Sequence, residues 1–147
     1  MNIGNICHRQ VYLVKAGEPL ADAAREMQRR RIGALVVVTD LATPVRPMGI
    51  VTDRDIVCGQ LLRKADLRSL TVGDVMTGDP LTLPESTGIS EAIAALHERG
   101  VRRAPVVNDA QDMVGIVTID DLLPAVAAEL NALAKLIGTQ SLHEGGR

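Results

Sequence analysis

Apolar positions recur in this chain in one order, twice. Leu20, Ala23, Ala24 and Met27 stand at i, i+3, i+4 and i+7, and Ile89, Ala92, Ile93 and Leu96 repeat the spacing. This is the pattern of a helix with one buried face. A short apolar run precedes each helix, Val11 to Val14 and Leu81 to Leu83, and predicts a strand. Two Val- and Ile-rich runs follow each helix: Leu35 to Val38 with Met48 to Val51, and Ala104 to Val107 with Met113 to Val117. Runs of this kind separated by turn residues are strand-like. A second helix closes each set. The first runs to about Leu62 or Arg63. The last, from Asp121 to about Ile137, carries Leu122, Val126, Leu130, Leu133 and Ile137. Gly138 is its predicted end, and Pro124 falls near its first turn, where proline does least harm.

The two sets are in register. Ile3-Gly-Asn-Ile-Cys7 aligns with Val72-Gly-Asp-Val-Met76 at an offset of 69 (72 − 3), which also places Leu20 on Ile89, Ile32 on Val101 and Val37 on Val106. After Asp40 and Asp109 the offset becomes 66 (115 − 49), so the first copy holds 3 extra residues (69 − 66) between Leu41 and Pro47. That stretch contains Pro44 and Pro47 and reads as a loop, where insertions cost little. The chain therefore divides into repeat 1 (1–70, with a connector at 66–70), repeat 2 (71–137) and a polar, frayed tail (138–147). Thr71-x-x-Asp74 predicts the cap of a single helical turn. A unit of roughly 60 residues makes a thin core, so the two copies are expected to pack sheet to sheet as one α+β module.

The candidate chemistry lies where the last strand of each repeat hands over to a helix, in Gly49-Ile-Val-Thr-Asp-Arg-Asp55 and Gly115-Ile-Val-Thr-Ile-Asp-Asp121. A helix N-terminus offers unpaired N–H groups and partial positive charge, a seat for phosphate. Asp55 and Asp121, three residues after Thr52 and Thr118, each bring a carboxylate that can accept from a ribose diol. The same Thr-x-x-Asp signature also describes a capping box. A capping Asp points at its own backbone, and a ribose-binding Asp points into a cleft. Arg103 stands before an apolar strand, where its head reaches the cleft rim, whereas Arg102 reads as solvated.

Composition narrows the function. The chain has 147 residues, 46% apolar, with a net charge of −2, against the basic footprint of a nucleic-acid binder. Tyr12 is the sole aromatic residue. A single-strand binder would need more rings for stacking, and a purine bound here would lie against aliphatic side chains. No uninterrupted apolar run approaches the ~20 residues of a membrane span, and Met1-Asn-Ile-Gly-Asn-Ile lacks a signal core. The expectation is a cytoplasmic protein with two reduced thiols, Cys7 and Cys58, and no membrane contact. His8, His97 and His143 have no metal-ligand spacing. Arg29-Arg30-Arg31, with Glu18, Asp22 and Glu26 nearby, reads as a solvated helix face. Asp53 or Asp120 as a general base would lack any nucleophile, so no enzyme is expected.

Taken in order and twice, these motifs resemble a tandem CBS-domain pair, the module named after cystathionine β-synthase. Val72-Gly-Asp-Val-Met-Thr77, Gly100-Val-Arg-Arg-Ala-Pro-Val-Val107 and the two Gly-Ile-Val-Thr-x-x-Asp stretches carry the resemblance, over roughly residues 3 to 137. It implies a duplicated β-α-β-β-α unit with pseudo-twofold symmetry, two small sheets packed together and helices outside. It also implies two clefts for adenosine compounds: AMP, ADP or ATP, with NAD or S-adenosylmethionine as further candidates. Carried over residue by residue, the contacts would be Thr118, Asp121, Arg103, Ala104, Pro105 and Thr82 in repeat 2, and Thr52, Asp55, Arg54, Gly33 and Ala34 in repeat 1. Ala34-Leu35-Val36 stands where repeat 2 has Arg103-Ala-Pro105, and Arg54 stands where repeat 2 has Asp120, so the clefts are expected to differ electrostatically. The resemblance further implies a regulatory homodimer that signals to a separate effector protein. The competing reading is a scaffold that dimerises and docks a partner without binding any ligand.

Overall fold

The computed structural model describes residues 1–145, with side chains through Thr139. In repeat 1, β1 (Leu13–Lys15) leads into α1 (Leu20–Arg30), which returns the chain to β2 (Ala34–Val38) parallel to β1. β3 (Pro47–Thr52) turns back antiparallel to β2, and α2 (Asp53–Arg63) follows without a break. After the connector, α3 (Val72–Val75) is the single turn expected. Asp74 Oδ2 accepts from the Thr71 N–H at 2.8 Å there. β4 (Thr77–Gly78) comes next, and then the unit is drawn again: β5 (Leu83–Pro84), α4 (Ile89–Arg99), β6 (Arg103–Val107), β7 (Met113–Thr118) and α5 (Ile119–Gly145).

The helix stripes bury as their spacing requires. Leu20, Ala23 and Met27 join Leu35, Val37 and Val51 in one core, and Ile89, Ala92 and Leu96 join Ala104, Val106 and Val117 in the other. Ile93, placed on the buried stripe by its spacing, is instead exposed and borders an apolar depression with Leu123. The alternate residues of the central strands, Val36 with Val38 and Pro105 with Val107, are also buried, but outside those two cores. A strand buried on both faces has a layer on each side. Here helices cover one face and the other repeat's sheet covers the second, as expected.

The repeats exchange their leading segments. Ile3, which opens repeat 1, is fully buried in the core of repeat 2, and Val72, which opens repeat 2, is fully buried in the core of repeat 1. β4 pairs with β3 through Gly49↔Gly78 and Ile50↔Thr77, making the first sheet four-stranded. Its counterpart is the backbone of His8, bridged to Ile116 in the second sheet by two hydrogen bonds of 2.9 Å. The 3-residue insertion also crosses over. The Met113 N–H donates to the Val45 carbonyl at 2.8 Å, and Arg46 reaches Asp112 and the Ala110 carbonyl. Sequence halves and spatial halves are thus offset by one short segment each.

Three expectations are corrected. β1 and β5 each begin two residues later than the apolar runs suggested, at Leu13 and Leu83, which frees Val11, Tyr12 and Leu81 from the sheets. Gly138 does not end the last helix. α5 continues through it to Gly145, and the Thr139 hydroxyl donates to the Lys135 carbonyl within the helix. One interior glycine costs only about 1 kcal/mol, and no proline follows to stop propagation. Of the tail expected to fray, 138–145 is helical and Gly146 and Arg147 lie outside the described residues. Pro124 sits in the second turn of α5.

The third correction concerns membranes. Ile119–Thr139 is 21 residues long and, by length and composition, apolar enough to cross one. A helical stretch tolerates isolated charges that break an apolar run, here Glu129 and Lys135 beyond the acidic first turn of Asp120 and Asp121. Its first turns are nevertheless a core helix, since Leu122 and Ala125 are buried in the second core.

Candidate functional site

Two clefts lie at the junction of the repeats, each at the N-terminus of a helix that follows a sheet strand directly. The backbone sets them up in parallel. The first amide of α2, from Asp53, donates to the Gly33 carbonyl, and the first amide of α5, from Ile119, donates to the Arg102 carbonyl, both at 3.0 Å. Each helix mouth is thereby tied to the start of the neighbouring strand.

The cleft at α5 has a volume of about 440 Å³. Thr118 and Asp120 form one wall, and Tyr12, Gly33, Ala34 and His8 belong to the facing segments of repeat 1. The cleft at α2 has about 300 Å³ and is lined by Thr52, Arg54 and Asp55 facing Asp79, Leu81 and Arg99 of repeat 2. Arg102 and Arg103 border both. Each cleft therefore takes its helix mouth from one repeat and its opposite wall from the other, so neither repeat holds a complete site.

The expected residues separate into two groups. Thr118, Arg103, Gly33 and Ala34 meet in the α5 cleft, and Thr52, Asp55, Arg54 and again Arg103 meet in the α2 cleft. Ala104 and Pro105 do not line either cleft, because both are buried inside the packed strands. Thr82 lines neither, and Leu81 takes that place in the α2 cleft. Asp121 is withdrawn from the α5 wall, with only 10% of its side chain exposed. Sequence reasoning missed Tyr12, assigned to a strand, and His8, read only against metal spacing. Arg102 is exposed, as a solvated residue is, and in addition borders both clefts. The offset of 69 (77 − 8) carries the signal for His8, since it places His8 on Thr77.

The two Thr-x-x-Asp motifs both cap their helices. The Thr52 N–H donates to Asp55 Oδ2 at 2.9 Å and the Asp55 N–H donates to Thr52 Oγ1 at 3.1 Å, a reciprocal box. In the second copy the Thr118 N–H donates to Asp121 Oδ2 at 2.9 Å, and the Thr118 hydroxyl turns to the same oxygen at 3.2 Å. Capping thus uses one carboxylate oxygen in each case. The second oxygen differs between copies. Asp121 Oδ1 lies 2.8 Å from His8 Nε2, whereas Asp55 Oδ1 has no hydrogen-bond partner and no ion-pair neighbour among the described residues.

Charge separates the clefts further. Arg54, Arg99, Arg102 and Arg103 surround the α2 cleft, and among the described residues none of the four is paired with a carboxylate. Arg99 donates only to the Asp79 carbonyl, at 2.6 Å. By contrast, Arg29 and Arg30 both pair with Glu26, whose carboxyl they hold below its ordinary range, and Arg30 also covers the Tyr12 ring at 4.2 Å. Of the three histidines considered for metal, the His143 side chain lies outside the described residues. Among those described, no three His, Cys, Asp or Glu side chains cluster as a metal site.

The CBS-domain family model matches residues 3–58 and 72–128. The chain belongs to the CBS-domain family. Hypoxic response protein 1 of Mycobacterium tuberculosis is 34% identical to this CBS pair over 122 residues, covering 83% of the chain and 78% of that protein. An uncharacterized protein of Methanopyrus kandleri is 28% identical over 123 residues, and the match covers 84% of the chain but 61% of that relative's length. Among solved structures, a putative signal-transduction protein with CBS domains from Burkholderia ambifaria superposes with a TM-score of 0.77 at 27% identity, covering 87% of this chain and 95% of the other. A structure described as CBSX2 in complex with AMP superposes with a TM-score of 0.72 at 27% identity, covering 86% and 96%.

Proposed function

We propose that this CBS pair is a regulatory sensor of adenosine nucleotides, with no catalytic step of its own, and that the α2 cleft is its phosphate-rich site. The observation that carries this reading is the ring of four arginines without carboxylate partners around Thr52 and Asp55. Four cations share this lining with only two carboxylates, Asp55 and Asp79; an excess of like charge destabilises a fold, and an anion of several charges relieves it. An arginine fork on a phosphate oxygen contributes about 1.5–3 kcal/mol. The phosphates meet Arg54, Arg103 and the mouth of α2, the ribose diol meets Asp55 Oδ1, and the base lies against Leu81 and Val101. In the α5 cleft the corresponding base wall is Tyr12 with Ile32, so one aromatic ring takes part there. The AMP complex of CBSX2 supports the ligand class. ADP and ATP suit the α2 cleft better than AMP, and NAD or S-adenosylmethionine fit the same chemistry less fully.

Both clefts straddle the repeats, so an occupant ties one half to the other. That shifts the population of the assembled form, here a homodimer formed through the helices, and the change is read by a separate effector protein in the cytoplasm. Calorimetry with AMP, ADP and ATP tests the ligand class. Saturable binding is expected, strongest for the polyphosphates, with about 2.7 kcal/mol of added stability at 100 times Kd. Absence of heat and of thermal shift with every adenosine compound overturns the reading.

The exposed stripe of α5 favours a second reading, the ligand-independent scaffold. Leu123, Leu130, Leu133 and Ile137 are each more than half exposed on one long helix. In that reading the helices dimerise whether or not a nucleotide is present, and sedimentation gives one subunit count with and without ATP.

A further inference from the structure

We infer that α5 pairs antiparallel with α5 of a second copy, in a register centred between Asn131 and Ala132, so that Ile137 of each copy enters the depression between α4 and α5 of the other. This rests on the homodimer reading above and fixes how the two copies meet. Beyond Val126, each described side chain of α5, from 127 to 139, is exposed, and none joins either core. At 1.5 Å per residue the helix runs on for about 20 Å outside both cores. Helices in proteins draw most of their stability from the packing of an apolar face. This one shows Leu130, Leu133 and Ile137, each more than half exposed, a continuous stripe and not the scattered exposure of an ordinary surface.

A lipid surface does not fit the segment. Leu122 and Ala125 hold the first turns in the second core, which leaves 126–139, or 14 residues (139 − 125), against the ~20 of a membrane span. Glu129 and Lys135 are the charges of that stretch, so it has no basic face for lying on headgroups. A second copy fits in three ways. The stripe is its own complement when reversed. Val126 opposite Ile137 and Leu130 opposite Leu133 share one midpoint, and alternating three- and four-residue steps keep them on one seam. Reversal also brings Glu129 of one copy near Lys135 of the other, whereas a parallel pair in register sets each beside its own kind, and opposite charges attract. The depression supplies the third fit. It has a volume of about 380 Å³ and is lined by Ile93, Val101, Leu123 and Val126, so it begins where the stripe meets the folded core. An antiparallel helix carries the branched Ile137 of the second copy to it. A parallel helix turns one depression toward the other and fills neither.

The test is disulfide trapping in the full chain with Cys7→Ala and Cys58→Ser as background. Val126→Cys and Ile137→Cys are made singly and together. In the antiparallel register each single cysteine stands about 16 Å along the axis from its twin, 11 residues (137 − 126) at 1.5 Å, too far to bridge. The same separation forbids a bridge within one copy. The double variant is therefore expected to give about tenfold more covalent dimer on a non-reducing gel than either single one. A single variant that links as well as the double overturns the inference, because the helices are then parallel. So does a dimer in sedimentation that links in none of the three, an outcome that leaves the homodimer reading standing. A chain that is monomeric at every concentration removes both, and if it floats with phosphatidylcholine vesicles the stripe belongs to a lipid surface. Nucleotide calorimetry is independent of all these outcomes. Where a variant's circular dichroism departs from wild type, carbodiimide coupling of the unaltered chain decides. A Glu129–Lys135 link in the coupled dimer is expected, and the two are six residues apart (135 − 129), not at the three- or four-residue spacing at which side chains of one helix meet. A coupled dimer without that link overturns the register.

Discussion

A β-carbon built on Gly115 would lie 2.7 Å from the carbonyl oxygen of His8. The relationship is mirrored at Gly49, where it would lie 2.8 Å from the Thr77 carbonyl. In both copies the glycine that opens Gly-Ile-Val-Thr lets the exchanged segment of the other repeat reach the sheet. Gly115→Ala is therefore expected to push that segment away and destabilise by about 1–3 kcal/mol, the usual cost of overpacking. Gly78→Ala, with nothing within 4 Å of the added carbon, is expected to stay within about 0.5 kcal/mol of wild type. Urea denaturation of the three proteins checks this. Equal midpoints for both variants would count against the close approach.

The duplication was readable because register survives in local spacing. A helix stripe and a strand run are properties of neighbouring residues, and Leu20 or Ile89 reports its own element. The exchange of leading segments was not readable, since Ile3 and Val72 are equally apolar in either core and only the three-dimensional path decides between them. The site divided on the same line. Thr52, Thr118, Arg54 and Arg103 belong to helix mouths and strand starts, which local pattern places. Tyr12 and His8 enter the α5 cleft from the other repeat's chain, so their role depends on packing. Asp121 was placed correctly at its helix, yet its partner His8 lies 113 residues away (121 − 8), beyond the reach of any spacing rule.

Asp74 gives a pH-dependent prediction. Hydrogen bonds from Thr71, the backbone N–H first, hold its carboxyl below the ordinary range. A depressed folded-state pKa contributes stability above the unfolded value of about 3.9 and loses it as pH falls through the folded value. Asp74→Ala should therefore lower the urea midpoint at pH 6, and the gap from wild type should close as pH drops below about 4. The group is exposed, so the gap is expected to be small. A gap of constant size from pH 6 to pH 2.5 would show that packing of α3, not the charge, carries the effect.

Leu133 separates assembly from folding. It is 56% exposed on α5, and with Leu123, Val126, Leu130 and Ile137 it falls at the alternating three- and four-residue spacing of a helix–helix seam. Leu133→Glu places a charge in that seam without touching either core. The expected outcome in analytical ultracentrifugation is a shift from dimer to monomer, with a circular dichroism spectrum close to wild type. Loss of helical signal together with dimer would mean that α5 depends on its partner to form. An unchanged dimer would move the interface off this stripe.

Arg54 tests which cleft takes the charged ligand. It stands at the position that repeat 2 fills with Asp120, and it borders the α2 cleft with Arg99, Arg102 and Arg103. Arg54→Asp takes the Asp53–Asp55 turn from a net charge of −1 to −3, past the −2 of Ile119–Asp121, while leaving the capping pair of Thr52 and Asp55 in place. It removes one cationic contact and adds a repulsive carboxylate, so ATP affinity is expected to fall by about 10- to 100-fold, or about 1.4–2.8 kcal/mol. AMP, whose single phosphate can still reach Arg103 and the helix mouth, should lose less, and the preference for polyphosphate should narrow. Calorimetry with both nucleotides, on variant and wild type, reads this directly. An equal loss for AMP and ATP would mean that Arg54 holds the first phosphate and not the later ones. No loss for either would assign the cleft's affinity to Arg99, Arg102 and Arg103.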